Sequence, residues 1–308
     1  MRVVVSGATG FLGRGLVRTL ALRGAEVVAL TRAPTGGAAR QLEALGGVRA
    51  VGWDASASDA SLAREVDGAD VVVNLAGEPL VGRRWSAEQK QRLHDSRVVA
   101  TRALVEAIRA AGRRPALLVS GSAIGYYGAR GDETLDESAP PGTDFLARLC
   151  VDWEAEARRA EELTRVCVVR TGIVLGEAGG ALEQMLRPFR LGVGGPLGDG
   201  RQWMSWIALH DWMSLVLFAI DRAEVRGPLN ATAPEPVRNR DFAAALGRVL
   251  HRPSWLPAPR LALRIALGEV SDTLVQGQRV VPARVLGMGF RFTEPLLEPA
   301  LRALLTPR

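Results

Sequence analysis

The chain alternates short apolar runs with longer amphipathic stretches over its first half. Apolar runs that predict buried strands lie at 3–5, 26–30, 48–51, 71–74, 116–120 and 166–169. Apolar residues spaced three and four apart predict helices at 11–23, 86–110 and 144–162, and Ser86-x-x-Gln89 is a capping-box pattern at the start of the second helix. Strands that alternate with helices predict a parallel sheet covered on both faces. We therefore expect an α/β fold of the Rossmann type, with a doubly wound parallel sheet.

The second half of the chain is less regular. Loops rich in glycine and proline, at 192–200 and 233–236, separate helical patterns near 210–221, 240–250 and 261–274 and a strand near 228–232. We see no internal repeat and no clean linker. The pattern predicts a Rossmann domain over 1–175, to which segments near 205–232 return, and a smaller C-terminal α+β domain over 176–308. A cleft between the two is the expected ligand site.

A glycine-rich turn stands between the first predicted strand and the first helix. Residues 6–13 read Ser-Gly-Ala-Thr-Gly-Phe-Leu-Gly. Glycine in this context permits a tight turn, a close approach of backbone N–H groups to a pyrophosphate, and close contact of helix and strand. The helix N-terminus adds partial positive charge and free donors. The predicted dinucleotide-binding residues here are Gly7, Ala8, Thr9, Gly10, Phe11, Leu12 and Gly13; the alternative is a glycine turn without a ligand.

The end of the second strand bears on which dinucleotide binds. NAD sites place Asp or Glu there for the ribose hydroxyls, whereas NADP sites place Arg nearby for the 2′-phosphate. Here the strand ends in Thr31-Arg32, with no acidic residue. A guanidinium can bind a phosphate through two parallel hydrogen bonds. We therefore expect NADP(H) in preference to NAD(H), although Arg32 could be an ordinary surface residue in a chain that has one lysine among its 39 basic residues.

Further candidates lie at the ends of the following strands. Asp54 comes just after the third strand, Leu75-Ala76-Gly77 follows the fourth, and Ser120 ends the fifth. The carboxyl ends of parallel strands form the edge where a dinucleotide lies in this architecture. We expect Asp54 to accept a hydrogen bond from the adenine amino group, and Ala76 and Gly77 to leave room for a ribose. A turn-forming Asp and a small loop would give the same pattern without any ligand.

Composition and charge exclude several classes of protein. The formal net charge is +6, but the basic residues are spread along the chain and only two tyrosines are present, so we expect no nucleic-acid partner. Two cysteines make a disulfide framework or a cysteine-rich metal site improbable, and no metal site is predicted. No uncharged apolar stretch of about 18 residues exists, and no signal pattern precedes the first strand. We therefore expect a cytoplasmic protein that binds no membrane.

Several motifs extend a family resemblance over nearly the full chain. They are Asn74 to Gly77, the stretch Ser120 to Gly128 that reads Ser-Gly-Ser-Ala-Ile-Gly-Tyr-Tyr-Gly, Gly198 to Gln202, Ile207 to Asp211 and the tail from Val281 to Phe290. Together with the glycine turn, they resemble the extended short-chain dehydrogenase/reductases, which include sugar-nucleotide epimerases and dehydratases. The tail resembles that of an atypical branch of epimerase-family or cell-division-inhibitor-like (SulA-like) NAD(P)-binding proteins. The resemblance implies a carbonyl, alcohol or sugar-nucleotide-like substrate, and a monomer or homodimer.

In the parent family, a Tyr-x-x-x-Lys pair on a helix performs acid–base chemistry, helped by an upstream Ser or Thr. The resemblance matches that upstream residue to Ser122. The helix predicted at 144–162 contains neither Tyr nor Lys, and alignment on Trp153-Glu154 puts Leu146 at the Tyr position and Cys150 at the Lys position. The family's usual pair is therefore absent from its helix.

The position of the single lysine makes this absence independent of alignment. Lys90 is preceded by Ser86 four residues earlier, so no Tyr-x-x-x-Lys exists anywhere in the chain. Arg97 falls where the parent family usually has Asn. The resemblance implies that both departures are typical of the atypical branch.

The remaining candidates for catalysis are Ser122, Tyr126, Tyr127, Arg97 and Cys150. Ser122 can polarise a carbonyl through a hydrogen bond, and Tyr126 or Tyr127 is the proton donor if its loop folds into the cleft. Arg97 either stabilises a developing oxyanion or orders the loop. Cys150 is a thiol acid, a redox-sensitive group or a small apolar filler.

Two functions follow from these residues. The first is an oxidoreductase or epimerase-like enzyme that uses NADP(H) without the usual pair. The second is a non-catalytic protein that binds NADP(H) and through it a partner.

Overall fold

The computed structural model describes residues 1–55, 60–176 and 179–305. The strands are β1 (Arg2–Ser6), β2 (Glu26–Thr31), β3 (Val48–Gly52), β4 (Val71–Asn74), β5 (Leu117–Ala123), β6 (Thr134–Leu135), β7 (Arg165–Thr171), β8 (Ile173–Leu175), β9 (Trp203–Met204), β10 (Trp206–Ala208), β11 (Gly227–Ala231), β12 (Val237–Arg238) and β13 (Arg279–Val280). The helices are α1 (Phe11–Leu22), α2 (Gly37–Glu43), α3 (Ala60–Val66), α4 (Ala87–Ala110), α5 (Phe145–Arg158), α6 (Gly180–Arg190), α7 (Leu209–Asp221), α8 (Asn239–Leu250), α9 (Arg260–Leu267), α10 (Val270–Val275), α11 (Ala283–Gly287) and α12 (Leu297–Leu305).

A seven-stranded parallel sheet forms the centre of the molecule. Its strand order is β11-β7-β5-β4-β1-β2-β3, and every pairing within it is parallel. The register pairs Ser6 with Asn74 and Asn74 with Ser120, so the carboxyl ends of β1, β4 and β5 meet at one edge. The chain order reverses on either side of β1, which is where ligands bind in such sheets.

Apolar layers cover both faces of the sheet. On one face, Leu16 of α1 and Trp212 of α7 are fully buried against the valines of β1 and β4. On the other face, Leu104 and Ile108 of α4 are buried with residues of α3 and α5. The strands are buried on both faces, which explains why they read as continuous apolar runs in the sequence. The predicted doubly wound Rossmann-type fold is confirmed.

Segments from the second half of the chain also join this sheet. β11 pairs with β7 at the sheet edge, and α7 packs on the same face as α1. Val285 and Phe290, in and just after α11, are buried in that same apolar layer. The tail thus contributes to the core of the first sheet, and the division of the chain at residue 175 stays a prediction.

The ends of two long helices follow their sequence signals. The Ser86 hydroxyl accepts a hydrogen bond from the Gln89 backbone N–H at 3.1 Å, which caps α4. Asp144 caps α5 in the same way, by accepting from the Ala147 N–H at 2.8 Å. The helix predicted at 144–162 ends earlier, at Arg158, because tight turns close the chain before β7.

One helix prediction is wrong. The pattern at 261–274 predicted a single helix, but α9 and α10 are separate and Gly268 between them has φ +65°. A residue in the left-handed region ends a helix, and glycine adopts it without steric cost. The break directs the chain so that α10 borders the cavity described next.

Candidate functional site

A cavity of about 800 Å³ opens at the carboxyl edge of the sheet. Its walls come from the glycine turn, the segments after β4 and β5, and helices α5 and α10. Of the predicted site residues, the cavity is lined by Gly7, Gly10, Phe11, Leu12, Gly13, Leu75, Ala76, Gly77, Arg97, Ser122 and Cys150. The chain thus brings most of the sequence-predicted residues to a single site.

The glycine turn is packed so closely that side chains are excluded. Gly7 has φ +64°, and a Cβ there would clash with the carbonyl oxygen of Leu75. A Cβ on Gly13 would clash with the carbonyl oxygen of Gly7, where α1 crosses the turn. These two glycines therefore give the tight turn and the close helix contact that the sequence predicted.

The start of α1 faces the cavity with unused donors. The first helical hydrogen bond runs from the Arg14 N–H to the Gly10 carbonyl at 2.9 Å, so the N–H groups of Phe11, Leu12 and Gly13 precede it. Gly10 provides no side-chain cap, and the first turn contains no acidic residue. A cradle of free N–H groups with open space in front fits the diphosphate of a dinucleotide.

A buried polar cluster orients the loop that faces this cradle. The Ser6 hydroxyl donates to Asn74 Oδ1 at 2.6 Å and accepts from the N–H groups of Leu75 and Ala76 at 3.2 and 3.3 Å. Asn74 Nδ2 donates to Thr101 on α4 at 2.8 Å. Neither Ser6 nor Thr101 was predicted from the sequence as a site residue, because their role arises only when β1, β4 and α4 come together.

The other predicted cofactor residues do not line the cavity. Ala8 is buried beneath the turn and Thr9 is half-buried on it. Thr31 is buried and Arg32 is exposed at the end of β2, and Asp54 is exposed after β3, so all three stay predictions.

Ser120, on β5, also does not line the cavity, and its side chain lies in the protein interior. It is fully buried, and its hydroxyl donates to the neighbouring Gly121 carbonyl at 3.3 Å. The structure therefore gives no support to a cofactor contact by this hydroxyl.

Ser122 is the predicted catalytic residue with the most defined surroundings. It lies near the end of β5, is 4% exposed, and donates through Oγ to Glu154 Oε1 at 2.8 Å. Glu154, on α5, is fully buried and also accepts from Arg170 at 2.8 and 2.9 Å and from Arg158 at 2.7 Å. A charged pair beneath the cavity floor therefore holds the hydroxyl. Neither Glu154 nor Arg170 was assigned from the sequence.

The two tyrosines are placed away from the cavity. Tyr127, at the end of the short 3₁₀ helix Ile124–Tyr127, is fully buried, and its hydroxyl donates to Asn230 Oδ1 at 2.7 Å. Burial raises the pKa of Tyr127 to about 12. The Tyr126 ring lies 3.5 Å from the Arg170 guanidinium carbon. The expectation that this loop folds into the cleft and delivers a proton is not supported, since neither tyrosine lines the cavity.

Arg97 brings a buried positive charge to the cavity wall. Its guanidinium donates to the backbone carbonyls of Leu93 at 3.0 Å and Glu78 at 2.8 Å, and burial lowers the pKa of the group. A Cβ on Gly77 would lie 3.0 Å from the guanidinium carbon, so glycine allows the loop to rest on Arg97. These contacts order the loop after β4, one of the two roles expected.

Cys150 and Leu146 occupy adjacent turns of α5 and both line the cavity. The Cys150 Sγ lies 3.7 Å from the Ala123 carbonyl, and burial raises the pKa of the thiol to about 12. A thiol in this environment stays protonated and is a weak acid. The apolar-filler interpretation fits this geometry best.

Two further observations concern residues that the sequence did not single out for the site. The indole Nε1 of Trp153, three residues after Cys150, is buried without a hydrogen-bond partner in the described part of the chain, and the side chain lines the cavity. Lys90 pairs with Glu269 at 2.7 Å near the cavity rim, where it joins α4 to the segment before α10. The lysine is therefore engaged in an ion pair with a residue that lines the cavity.

The sheet and the glycine cradle define a protein of the Rossmann NAD(P)-binding class. The comparison with known families makes this specific: the chain belongs to the NAD dependent epimerase/dehydratase family, whose sequence profile matches residues 3–231. Residues 258–304 match a second family, a domain of unknown function named DUF1731.

Individual relatives cover almost the whole chain. An epimerase family protein SDR39U1 homolog, described as chloroplastic, from Arabidopsis thaliana is 40% identical over 99% of this chain and 87% of its own length. The epimerase family protein YfhF of Bacillus subtilis is 38% identical over 100% of this chain and 99% of its own. The crystal structure of human epimerase family protein SDR39U1 with NADPH has a TM-score of 0.89 and 36% identity, and the match covers 99% of each chain.

The described residues contain neither a membrane-spanning helix nor a cluster of metal ligands. None of their helices is long and apolar enough to cross a membrane. Among the same residues, no group of three or more His, Cys, Asp or Glu side chains could hold a metal ion.

Proposed function

We propose that the protein is an NADP(H)-dependent oxidoreductase that transfers a hydride between the nicotinamide and a small-molecule carbonyl or alcohol. The observation that carries the proposal is the continuity of a single cavity from the glycine cradle to Ser122. The cradle holds the diphosphate, and the nicotinamide end then extends toward β5. The human relative crystallised with NADPH supports the same cofactor for this chain.

The preference for NADP(H) over NAD(H) rests on Thr31 and Arg32 at the end of β2. Arg32 is exposed, so its guanidinium can move to meet a 2′-phosphate, and no acidic residue in Thr31-Arg32 would repel that phosphate. Asp54, after β3, is the proposed partner of the adenine amino group.

The nicotinamide supplies or accepts the hydride, and the protein orients the substrate carbonyl against it. Ser122 turns its hydroxyl proton from Glu154 to the carbonyl oxygen, and water that enters the cavity supplies the proton that the alkoxide takes up after hydride transfer. This turn is inexpensive because Glu154 Oε1 keeps its hydrogen bond from Arg170 Nε at 2.8 Å. Arg97 adds a positive charge to the cavity wall, and the unpartnered Trp153 N–H is a further donor for a substrate oxygen.

Hydride exchange tests the reaction. The protein is incubated with stereospecifically deuterated NADPH and a panel of carbonyl compounds, and loss of the label is followed by mass spectrometry. We expect loss with at least one compound, and Ser122→Ala should reduce the turnover about tenfold or more while NADPH affinity is retained. Unchanged turnover in this variant would remove Ser122 from the mechanism.

A non-catalytic protein loaded with NADP(H) is the second candidate. The absence of the Tyr-x-x-x-Lys pair and the enclosure of Tyr127 favour it, because no tyrosine or lysine of the described residues lines the cavity. In that case NADPH should bind tightly while every carbonyl leaves the label intact.

The remaining properties stay predictions. They are a cytoplasmic location, a monomeric or homodimeric state, a substrate related to sugar nucleotides or other carbonyls and alcohols, and the cell-division-inhibitor-like (SulA-like) part of the resemblance.

A further inference from the structure

A second cavity, of about 700 Å³, adjoins the first one on the side of the C-terminal segments. The two cavities share the lining residues Gln202, Trp203, Gln276 and Gly277, so they border each other at these residues. The second cavity is lined by four arginines and by two carboxylates, namely Arg201, Arg238, Arg240, Arg260, Asp132 and Asp199. Its wall therefore has an excess of positive charge.

The two carboxylates leave part of this charge unpaired. Asp132 accepts from the Trp203 indole at 2.8 Å and from Arg238 at 2.6 Å, and these bonds lower its pKa. Asp199 accepts from the backbone N–H of Arg201 at 3.0 Å. Within residues 1–55, 60–176 and 179–305, no carboxylate lies within 4.0 Å of the guanidinium of Arg201 or Arg260. Both cations are thus available to an anion from outside.

Trp203 forms the wall between the two cavities and is itself bordered by cations. The Arg238 guanidinium carbon lies 4.0 Å from the indole centroid, and that of Arg279 lies 4.8 Å from it. Arg279 Nε is buried and has no hydrogen-bond partner among the described residues. A ligand that passes from the first cavity into the second therefore meets a flat aromatic surface surrounded by positive charge.

The first cavity also has a large apolar surface. The apolar and aromatic side chains that line it include Trp85, Phe145, Leu146, Leu149, Trp153 and Met185. These side chains offer an extensive apolar contact, whereas a sugar carries a hydroxyl on nearly every carbon, each of which needs a partner when it leaves water.

We propose that the two cavities together bind one amphiphilic ligand. Its apolar body lies along α5 with a carbonyl or alcohol near Ser122, and its anionic end, a carboxylate or a phosphate, binds Arg201 and Arg260. The inference rests on the proposed function in that this ligand is the substrate. It narrows that function by favouring an apolar molecule with one charged end over a sugar nucleotide.

The test measures binding to the NADPH-saturated protein, without chemistry. Calorimetry measures the affinities of decanoate, decyl phosphate and decanol, each below its micellar concentration or solubility limit. The three compounds share a ten-carbon chain and differ in the end group, which is a carboxylate, a phosphate or a neutral hydroxyl. We expect at least one anion to bind about tenfold or more tightly than decanol, and the stronger anion identifies the source of the charge. UDP-glucose serves as the sugar-nucleotide probe and should bind more weakly than that anion.

Variants assign the two ends of the ligand separately. The double variant Arg201→Gln/Arg260→Gln should remove the preference for the anion while the affinities for decanol and NADPH stay unchanged. Arg109→Gln, at the far end of α4, is the matched control and should alter none of them. Leu146→Asn, on the partly exposed start of α5, should weaken all three decyl ligands by a similar factor.

The outcomes separate this inference from the proposed function. Loss of NADPH binding by the wild-type protein would contradict the proposed function. Three results, obtained while NADPH still binds, would overturn the amphiphilic ligand and leave the proposed function intact. They are equal affinity for decanol and both anions, no binding of any decyl compound, and tighter binding of UDP-glucose than of the anions. An anion preference that survives the double arginine variant would also overturn it.

Discussion

The two sides of the main cavity are built by different means. On the cofactor side, the site is formed by the backbone: glycines let a turn and a helix approach each other, and free N–H groups face the space in front. On the reaction side, the site is formed by side chains: Ser122 is hydrogen-bonded to Glu154, which is in turn bonded to Arg170 and Arg158. A backbone site can be recognised from a short motif, whereas a site built from distant side chains has no local signature.

The largest expected effect lies on the reaction side. Glu154→Gln removes the charge that balances the buried Arg170, and an unpaired buried cation is costly, so the free energy of unfolding should fall by about 3–5 kcal/mol. Chemical denaturation measures the loss. The control Glu106→Gln breaks two ion pairs, with Arg109 and Arg159, in which all partners are nearly half exposed, and should change stability by no more than about 1 kcal/mol. Equal losses of stability in the two variants would show that the buried Glu154 contributes no more to stability than the exposed Glu106.

The cofactor side is tested by Gly13→Ala. The added methyl group would clash with the Gly7 carbonyl and displace α1 from the turn, so NADPH affinity should fall about a hundredfold, or about 2.7 kcal/mol. Gly37→Ala is the matched control, because nothing lies within 4 Å of a Cβ at that position. Fluorescence titration of NADPH gives both affinities, and retention of wild-type affinity in Gly13→Ala would refute the cradle.

The choice between cofactors is expected to depend on a single side chain. Arg32→Asp replaces a cation by an anion, and one charge-assisted contact is worth about 1.5–3 kcal/mol. The ratio of NADPH to NADH affinity should therefore fall about tenfold or more. Arg18→Asp, exposed on α1 one turn beyond the cradle, controls for net charge, and a similar drop in that variant would argue against the phosphate contact.

The smallest expected effect concerns the pH dependence of stability. The pKa of Tyr127 is raised to about 12 in the folded protein, against about 10 in an unfolded chain. Above pH 10 the unfolded chain loses this proton while the folded protein retains it, so stability should fall between pH 10 and 12, by at most about 1.4 kcal/mol per pH unit. Tyr127→Phe, which removes this proton, should show a shallower fall over this range. Parallel curves for wild type and Tyr127→Phe would contradict the prediction.

Whether a feature of this molecule could be predicted depends on how far apart in the sequence its interacting residues lie. The seven strands of the main sheet and the glycine turn were predicted because each signal lies within a few residues of the chain, whereas the six short strands described outside that sheet were not predicted. The bond between Arg170 and Glu154 joins a strand to a helix, and the contact of Tyr127 with Asn230 spans 103 residues. Such pairs exist only after the sheet has formed. The break at Gly268 was missed because a helical pattern continues on both sides of it.

The ion pair between Lys90 and Glu269 has a practical consequence. Because the chain has one lysine, amine-directed coupling reaches only that ε-amino group and the amino terminus. The group stands between α4 and the start of α10, beside the opening of the main cavity. With the amino terminus blocked, a fluorophore attached there would report on ligand entry from a single defined location, without any engineered cysteine.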